Sequence, residues 1–460
     1  MNSLNRRAFL KQTALVTSGM LVAPTIIPAQ VRGGNNRVAP SDKVRYALIG
    51  CGNQGSVDLR PFMNDERLQV VALCDVNKES DGYWNGAVRG LNVMEQWVNE
   101  FYTEKNGRPF TGLRLVEDFR EVLAMNDVDA VSIATPDHWH AIISILAAKA
   151  GKAIYCQKPI SLTIPEGRAM SDAVKKYKVV FQTGSQQRSA ENFRTACEMV
   201  RNGKLGKISS VTVGLPSGTP DVGHNGDQTN PVPVPAGFNY DFWLGPACEA
   251  YYCPARVGSN FRWNFAFSGG QITDWSGHHP DIAQWGMNTE HTGPVKIRPI
   301  YSAWAKHPVW NTATQYRVEA EYSEGFTMIL TSNAGFSGVQ FDGEDRKWVR
   351  VGRGNYSVSD NLKDVKLTDS DTKLYVSENH YRNFIDCVLS GQEPIAPAEA
   401  AHRSTSICHL ANIAMILNRD LEWNPKTEMF INDPIANALI DRPMREPWGS
   451  LYRKLVTELA

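Results

Sequence analysis

The chain has 460 residues, enough for two or three domains with sizeable cores. Hydrophobic residues make up 42% and charged residues 21%, which excludes a largely disordered chain and fits a soluble globular enzyme. Lys plus Arg and Asp plus Glu both number 48, so no basic excess points to a nucleic-acid partner.

The N-terminus opens on Asn5-Arg6-Arg7-Ala8-Phe9-Leu10-Lys11, a twin-arginine export signature. An apolar stretch follows from Ala14 to Ile27, too short and too broken by Gly and Pro for a good membrane span. Pro28-Ala29-Gln30 offers a small-residue cleavage site. Residues 1–33 are therefore expected to be a signal taken up by the twin-arginine machinery, and residues 34–42 a linker. That route carries folded proteins and predicts a periplasmic location, free or membrane-associated.

Val44 to Ile49 is a short apolar run of the kind that forms a buried parallel strand. It enters Gly50-Cys51-Gly52-Asn53-Gln54-Gly55 and then a helical pattern. A second strand, Leu68 to Cys74, ends at Asp75; a third runs from Ala130 to Ala134. Thr135-Pro136-Asp137-His138 reads as a loop into a helix from Trp139 to Ala150. The next strand, Ala153 to Cys156, ends at Gln157-Lys158-Pro159. This rhythm predicts an α/β domain with a doubly wound parallel sheet over residues 43–165.

Past Lys207 the pattern changes. Ser209 to Leu215 alternates like a half-exposed strand, and Pro216 to Gly237 reads as a long loop. Gln315 to Tyr322 and Thr327 to Leu330 read as antiparallel strands, and Glu378 to Leu389 and Ala398 to Leu417 as helices. Residues 166–448 are thus expected to form an α+β domain on a mixed, largely antiparallel open sheet, and 449–460 a tail. Eight cysteines include no CxxC pair; Cys248 and Cys253 are near enough for a local disulfide in an oxidising compartment. No metal-ligand spacing stands out.

Three motifs carry chemistry. The glycine run follows a strand, opens a helix and is answered by Asp75, twenty residues past Gly55. Gly50 permits a tight turn, Gly52 lets backbone approach a pyrophosphate, and Gly55 lets helix and strand pack closely. The helix N-terminus favours the phosphates. Asp75 would accept hydrogen bonds from a ribose diol, and its charge repels a 2′-phosphate, which favours NAD over NADP. Lys158, at a strand's carboxyl end, points toward the ligand crevice of such a sheet. Asp274 and His278 stand four apart, which on one helix would put them a turn apart on a shared face. A carboxylate beside an imidazole can bind a hydroxyl and take its proton; alone, the pair is equally a helix-surface contact.

In this order the motifs resemble the Gfo/Idh/MocA oxidoreductases, over roughly Lys43 to Trp448. The family carries Glu-Lys-Pro where this chain has Gln157-Lys158-Pro159, and an Asp-x-x-x-His with a further Asp where it has Asp274, His278 and Asp281. The twin-arginine head resembles an exported bacterial subgroup. The resemblance implies that Lys158 touches the reacting hydroxyl and the nicotinamide ribose, that His278 accepts the proton, and that Asp274 fixes a neighbouring hydroxyl. It implies cofactor contacts from Asn53, Gln54, Thr135, Pro136, His138 and Gln157, and substrate contacts from Arg188, Arg262, Trp263 and His279. The spacing from Asp274 favours His278 over its neighbour His279 as the base. Gln157 is a departure, since a neutral amide cannot ion-pair with Lys158. A homo-oligomer is implied by analogy alone.

The expected function is oxidation or reduction at a secondary hydroxyl of a sugar, glycoside or cyclitol, with tightly held NAD and no metal. The rivals are a glycosidase-like hydrolase working by transient oxidation, and a non-catalytic binding protein on the same fold.

Overall fold

A computed structural model describes residues 42–459. The expected export signal over 1–33, nearly all of the expected linker and the last residue of the tail lie outside the described residues.

The apolar runs of the first part build a six-stranded parallel sheet. Its strands are β1 (Val44–Ile49), β2 (Leu68–Cys74), β3 (Arg114–Val116), β4 (Ala130–Ile133), β5 (Ala153–Cys156) and β6 (Phe181–Thr183). Their spatial order is β3-β2-β1-β4-β5-β6, all pairs parallel. Helices cover both faces, so Tyr46, Ala47 and Leu48 at the centre are fully buried. Chain order reverses between β1 and β4, and the crevice above the strand ends there is where such sheets hold ligands. Helix Ile164–Tyr177, opened by a Thr163/Glu166 capping box, leads into β6. The parallel sheet therefore runs past residue 165, because one more apolar strand follows that helix. Helix Asp137–Lys149 starts two residues earlier than the expected Trp139. Pro136 sits at its N-cap, a place where a fixed φ and a missing N–H are tolerated.

The second sheet has nine strands. They are β7 (Ser210–Gly214), β8 (Lys296–Trp304), β9 (Ala313–Glu321), β10 (Thr327–Thr331), β11 (Gly338–Asp342), β12 (Trp348–Gly352), β13 (Asn355–Val358), β14 (Leu421–Asn424) and β15 (Met429–Phe430). The order is β13-β12-β11-β7-β10-β9-β8-β14-β15. Only β7 and β10 pair in parallel, so the sheet is mixed and largely antiparallel, as expected. Along β9, Tyr316, Val318 and Ala320 are buried while Arg317 and Glu319 face outward, the period of a strand covered on one side. The covered face packs on helices Glu191–Arg201, His279–Met287 and Ala398–Leu417. Residues 216–237 run as the long loop read from their Pro, Gly and Asn content. No described helix is long and apolar enough to cross a membrane. Cys248 and Cys253 are both free thiols.

Candidate active site

The first cavity of the site lies over the carboxyl ends of β1 and β4. Gly50 has φ +98°, and a Cβ there would meet the Ala134 carbonyl carbon at 2.6 Å and the Thr135 nitrogen at 2.8 Å. The turn thus lies flat against the segment after β4, which only glycine allows. At Gly55 a Cβ would stand 2.0 Å from the Gly50 oxygen, so the following helix, Asn53–Asn64, presses directly on the turn. Gly52 faces the Tyr83 ring, whose Cε1 would lie 2.9 Å from a Cβ. Asp75, at the end of β2, accepts the Cys51 amide at 2.6 Å and the Asn77 amide at 2.8 Å. Burial raises its carboxyl to about 6, against the pull of those two amides.

Of the residues expected at a cofactor, Gly50, Gly52, Asn53, Gln54, Asp75, Thr135, Pro136, Gln157 and Lys158 line this cavity, and Gly55 lies beneath it. Thr135 and Asp137 line this cavity, and among the described residues their buried Oγ1 and Oδ2 atoms have no hydrogen-bond partner. A glycine cradle at a helix start, a carboxylate at the second strand end and two orphaned polar atoms fit a dinucleotide. His138 does not belong to it. Its Nε2 donates to the Trp243 carbonyl at 2.9 Å and its ring packs against Trp243 and Phe267. Helix Asp137–Lys149 turns His138 toward a separate cavity, because the helix already begins at Asp137.

Lys158, Arg262 and Asp274 stand on the wall that this cavity shares with a second one opening outward. Lys158 Nζ and Arg262 Nε each donate to Asp274 Oδ1 at 3.0 Å. Burial works to raise the Asp274 carboxyl, but the two cations outweigh it and hold it well below the usual range. His278 lines the outer cavity; its Nδ1 is buried and has no hydrogen-bond partner among the described residues. Burial first, then the Lys158 and Arg353 cations, keep its pKa well below 6.5, so the ring is neutral and can accept a proton.

Asp274 and His278 do not share one helix. Helix Gln271–Asp274 ends at the aspartate, residues 275–278 form turns, and His278 (φ −114°, ψ −98°) caps the next helix, His279–Met287. Pro280 explains the break, since it cannot donate to the Ser276 carbonyl as a continuous helix needs. The two side chains reach one cavity across a corner of the chain instead.

Three other expectations are corrected. Arg188 does not touch the substrate space. It is 2% exposed, pairs through Nε and Nη2 with Asp281 (2.6 and 2.8 Å), and through Nη1 with Glu290 (2.7 Å) and the Ile395 carbonyl (3.2 Å). Trp263 is a core residue whose indole donates to the Pro220 carbonyl at 2.9 Å. His279 donates from Nδ1 to the Gly214 carbonyl at 2.8 Å, which ties helix His279–Met287 to β7 and leaves the outer cavity to His278. Its rank as first residue of a helix packed on the sheet makes it structural.

The site also holds residues that the sequence did not single out. Asp137 lines the nucleotide cavity, and burial, aided by Asp274, raises it to about 7 against the Ser268 hydroxyl and the Arg262 and Lys158 cations. Its position beside Thr135 and Pro136 was the available signal. Gln157 donates from Nε2 to Asp58 Oδ2 at 2.7 Å, and Asp58 also accepts from Gln54 (3.0 Å) and the Tyr381 hydroxyl (2.9 Å). Phe242, Trp243 and Phe261 close one side of the nucleotide cavity from a much later part of the chain, beside Arg262, which was expected at the substrate. No motif marks the three aromatic residues. Among the described residues no group of three or more His, Cys, Asp or Glu is placed to hold a metal ion.

Two family models match the chain. Residues 44–185 match the Gfo/Idh/MocA oxidoreductase NAD-binding Rossmann fold, and residues 191–450 match the family's C-terminal alpha/beta domain. Among curated proteins the chain is similar to the alpha-N-acetylgalactosaminidase of Shewanella oneidensis and a glycosyl hydrolase family 109 protein of Shewanella putrefaciens. Each is 25% identical over 221 residues, 45% of this chain and 45% of the relative. The match therefore spans less than half the length of these relatives. Among solved structures it is similar to the WlbA dehydrogenase of Bordetella pertussis in complex with NADH and UDP-GlcNAcA (TM-score 0.57, 16% identity, 83% of this chain and 99% of that one). The aldose-aldose oxidoreductase of Caulobacter crescentus gives a TM-score of 0.54 at 17% identity, with 83% and 99% covered. At these identities the likeness shows the fold.

Proposed function

Since the chain belongs to the Gfo/Idh/MocA oxidoreductase family, we propose that it moves hydride between NAD and a secondary hydroxyl of a sugar, glycoside or cyclitol. The observation that carries this reading is the wall shared by the two cavities, where Lys158, Asp274 and Arg262 meet and His278 stands beside them. Asp274, ionised between two cations, accepts a hydrogen bond from one sugar hydroxyl and fixes the ring. The Lys158 ammonium donates to the hydroxyl that reacts and stabilises the alkoxide as it forms. His278, neutral and lining the outer cavity, takes the proton. Held by the glycine turn and Asp75, NAD would supply the hydride acceptor. Lys158→Ala and His278→Ala are expected to cut turnover by about a hundred- to ten-thousand-fold with little change in NAD affinity. Unchanged turnover in both would overturn the assignment.

A second reading is favoured by the names of the curated relatives. Oxidation of a ring hydroxyl makes the neighbouring C–H acidic; loss of that proton and of the aglycone, addition of water and return of the hydride amount to net hydrolysis. Sugar release with no net NADH supports it, and NADH formed in step with oxidised sugar excludes it. Export by the twin-arginine route is a further part of the proposal, resting on Asn5 to Lys11. It sets a constraint on either chemistry, because a cofactor loaded before export must be regenerated where it is bound.

A further inference from the structure

Strands β12 and β13 pair with Gly352 opposite Asn355, so Arg353 and Gly354 form the tip of their hairpin. That tip is fixed from both sides. Asn192 Nδ2 donates to the Gly352 carbonyl at 2.9 Å and to the Asn355 carbonyl at 3.2 Å. The Arg353 guanidinium lies over the Trp275 ring, 4.8 Å from its centroid. The Gln187 amide, oriented with its oxygen toward Arg353, accepts from Nε at 3.1 Å and donates to the His278 carbonyl at 3.3 Å. The ring contact and one hydrogen bond hold the planar group in place, and among the described residues its Nη edge makes no hydrogen bond.

Among the described residues no carboxylate pairs with Arg353. It lines the mouth of the outer cavity, on whose wall Lys158, Arg262 and Arg353 face a single carboxylate, Asp274. Asp274 is already shared by the first two. The other polar side chains of its lining, among them Gln186, Gln187, Asn192 and Tyr381, carry no charge. The outer cavity thus carries an excess of positive charge, and among the described residues Arg353 is the cation of its lining that no carboxylate pairs with. A neutral sugar would leave it unpaired.

We propose that Arg353 is an anion subsite, so that the sugar presented to Lys158, Asp274 and His278 carries a carboxylate, sulfate or phosphate. A guanidinium held over an indole through its Nε side offers two parallel N–H donors at its Nη edge, the geometry that a carboxylate or an ester of sulfate or phosphate accepts. The inference rests on the reading of this site as a sugar oxidoreductase, and it names the substrate class of that site.

Matched glycosides test it: a methyl glucoside, the corresponding glucuronoside, the 6-sulfate and the 6-phosphate. Binding is read in NAD-loaded Lys158→Ala protein by calorimetry and by tryptophan fluorescence, since Trp275 lies under the subsite. One or more of the anionic compounds is expected to bind roughly ten- to hundred-fold tighter than the neutral one, the scale of a charge-assisted hydrogen bond. Adding Arg353→Gln should abolish that preference, and Arg353→Lys should keep part of it. The compound that loses most identifies which anion is recognised. Equal binding of neutral and anionic glycosides, or a preference that survives Arg353→Gln, overturns the subsite. NADH formed from neutral glycosides alone would leave the oxidoreductase reading standing and sink the subsite. An Arg353-dependent preference without NADH formation from any sugar would do the reverse.

Discussion

Gln157 meets the Asp58 carboxylate at 2.7 Å in the buried floor of the site, so a glutamate there would set two carboxylates against each other. The amide donates where the family's usual acid could not. Gln157→Glu, although it restores the family pattern, is expected to destabilise the protein by about 1–3 kcal/mol near neutral pH. The paired acids would share a proton that the unfolded chain has released, so the folded-state pKa is raised and stability falls as pH rises. The melting-temperature deficit should be small at about pH 5 and larger at about pH 8; equal deficits would show that the carboxylates do not meet. The Asp75 carboxyl, raised by burial to about 6, is charged above that value and neutral below it. Repulsion of a 2′-phosphate should fade as pH falls through this range, and preference for NAD over NADP should narrow with it. In Asp75→Ala the preference should narrow at every pH, with NAD binding weaker by about 1–3 kcal/mol. Titration of both cofactors at two pH values checks both statements.

The strand–turn–helix unit from Val44 to Asn64 was legible because its apolar run, glycines and answering Asp75 lie close together in the sequence. Each has a local physical reason that no later contact overrides. The corner at His278 was not read: Pro280 marks it, but the four-residue spacing from Asp274 suggested a single helix instead. Arg188 and Arg353 could not be told apart by sequence. One follows a strand and the other tips a hairpin, and neither position has a period or motif that fixes its partners. Their partners lie in distant elements, Asp281 and Glu290 for one, Trp275 and Gln187 for the other. Arg188 ties the segment after β6 to helix His279–Met287, and Arg188→Ala would leave Asp281 and part of Glu290 buried without a countercharge. A loss of about 3–5 kcal/mol of stability is expected, seen as a lowered melting temperature. Unchanged melting with a raised KM would instead put Arg188 in contact with substrate.

Across the whole molecule, the nucleotide cavity is built by the parallel sheet and closed by Phe242, Trp243, Phe261 and Arg262 from the later half of the chain. A cofactor seated there would be covered by residues that include Arg262, which holds Asp274, the residue proposed to fix the substrate. That arrangement suits a nucleotide held through the catalytic cycle, as export in the folded state would require. The most direct measurement is the identity and redox state of nucleotide in native protein, purified without added cofactor and dialysed extensively. Mass spectrometry of the released nucleotide should give NAD in stoichiometric amount. Addition of a sugar substrate to the dialysed protein should produce the near-ultraviolet absorbance of reduced nicotinamide, and Lys158→Ala protein should retain the NAD without that change. Protein that carries no nicotinamide nucleotide and binds none when NAD is supplied would contradict the account.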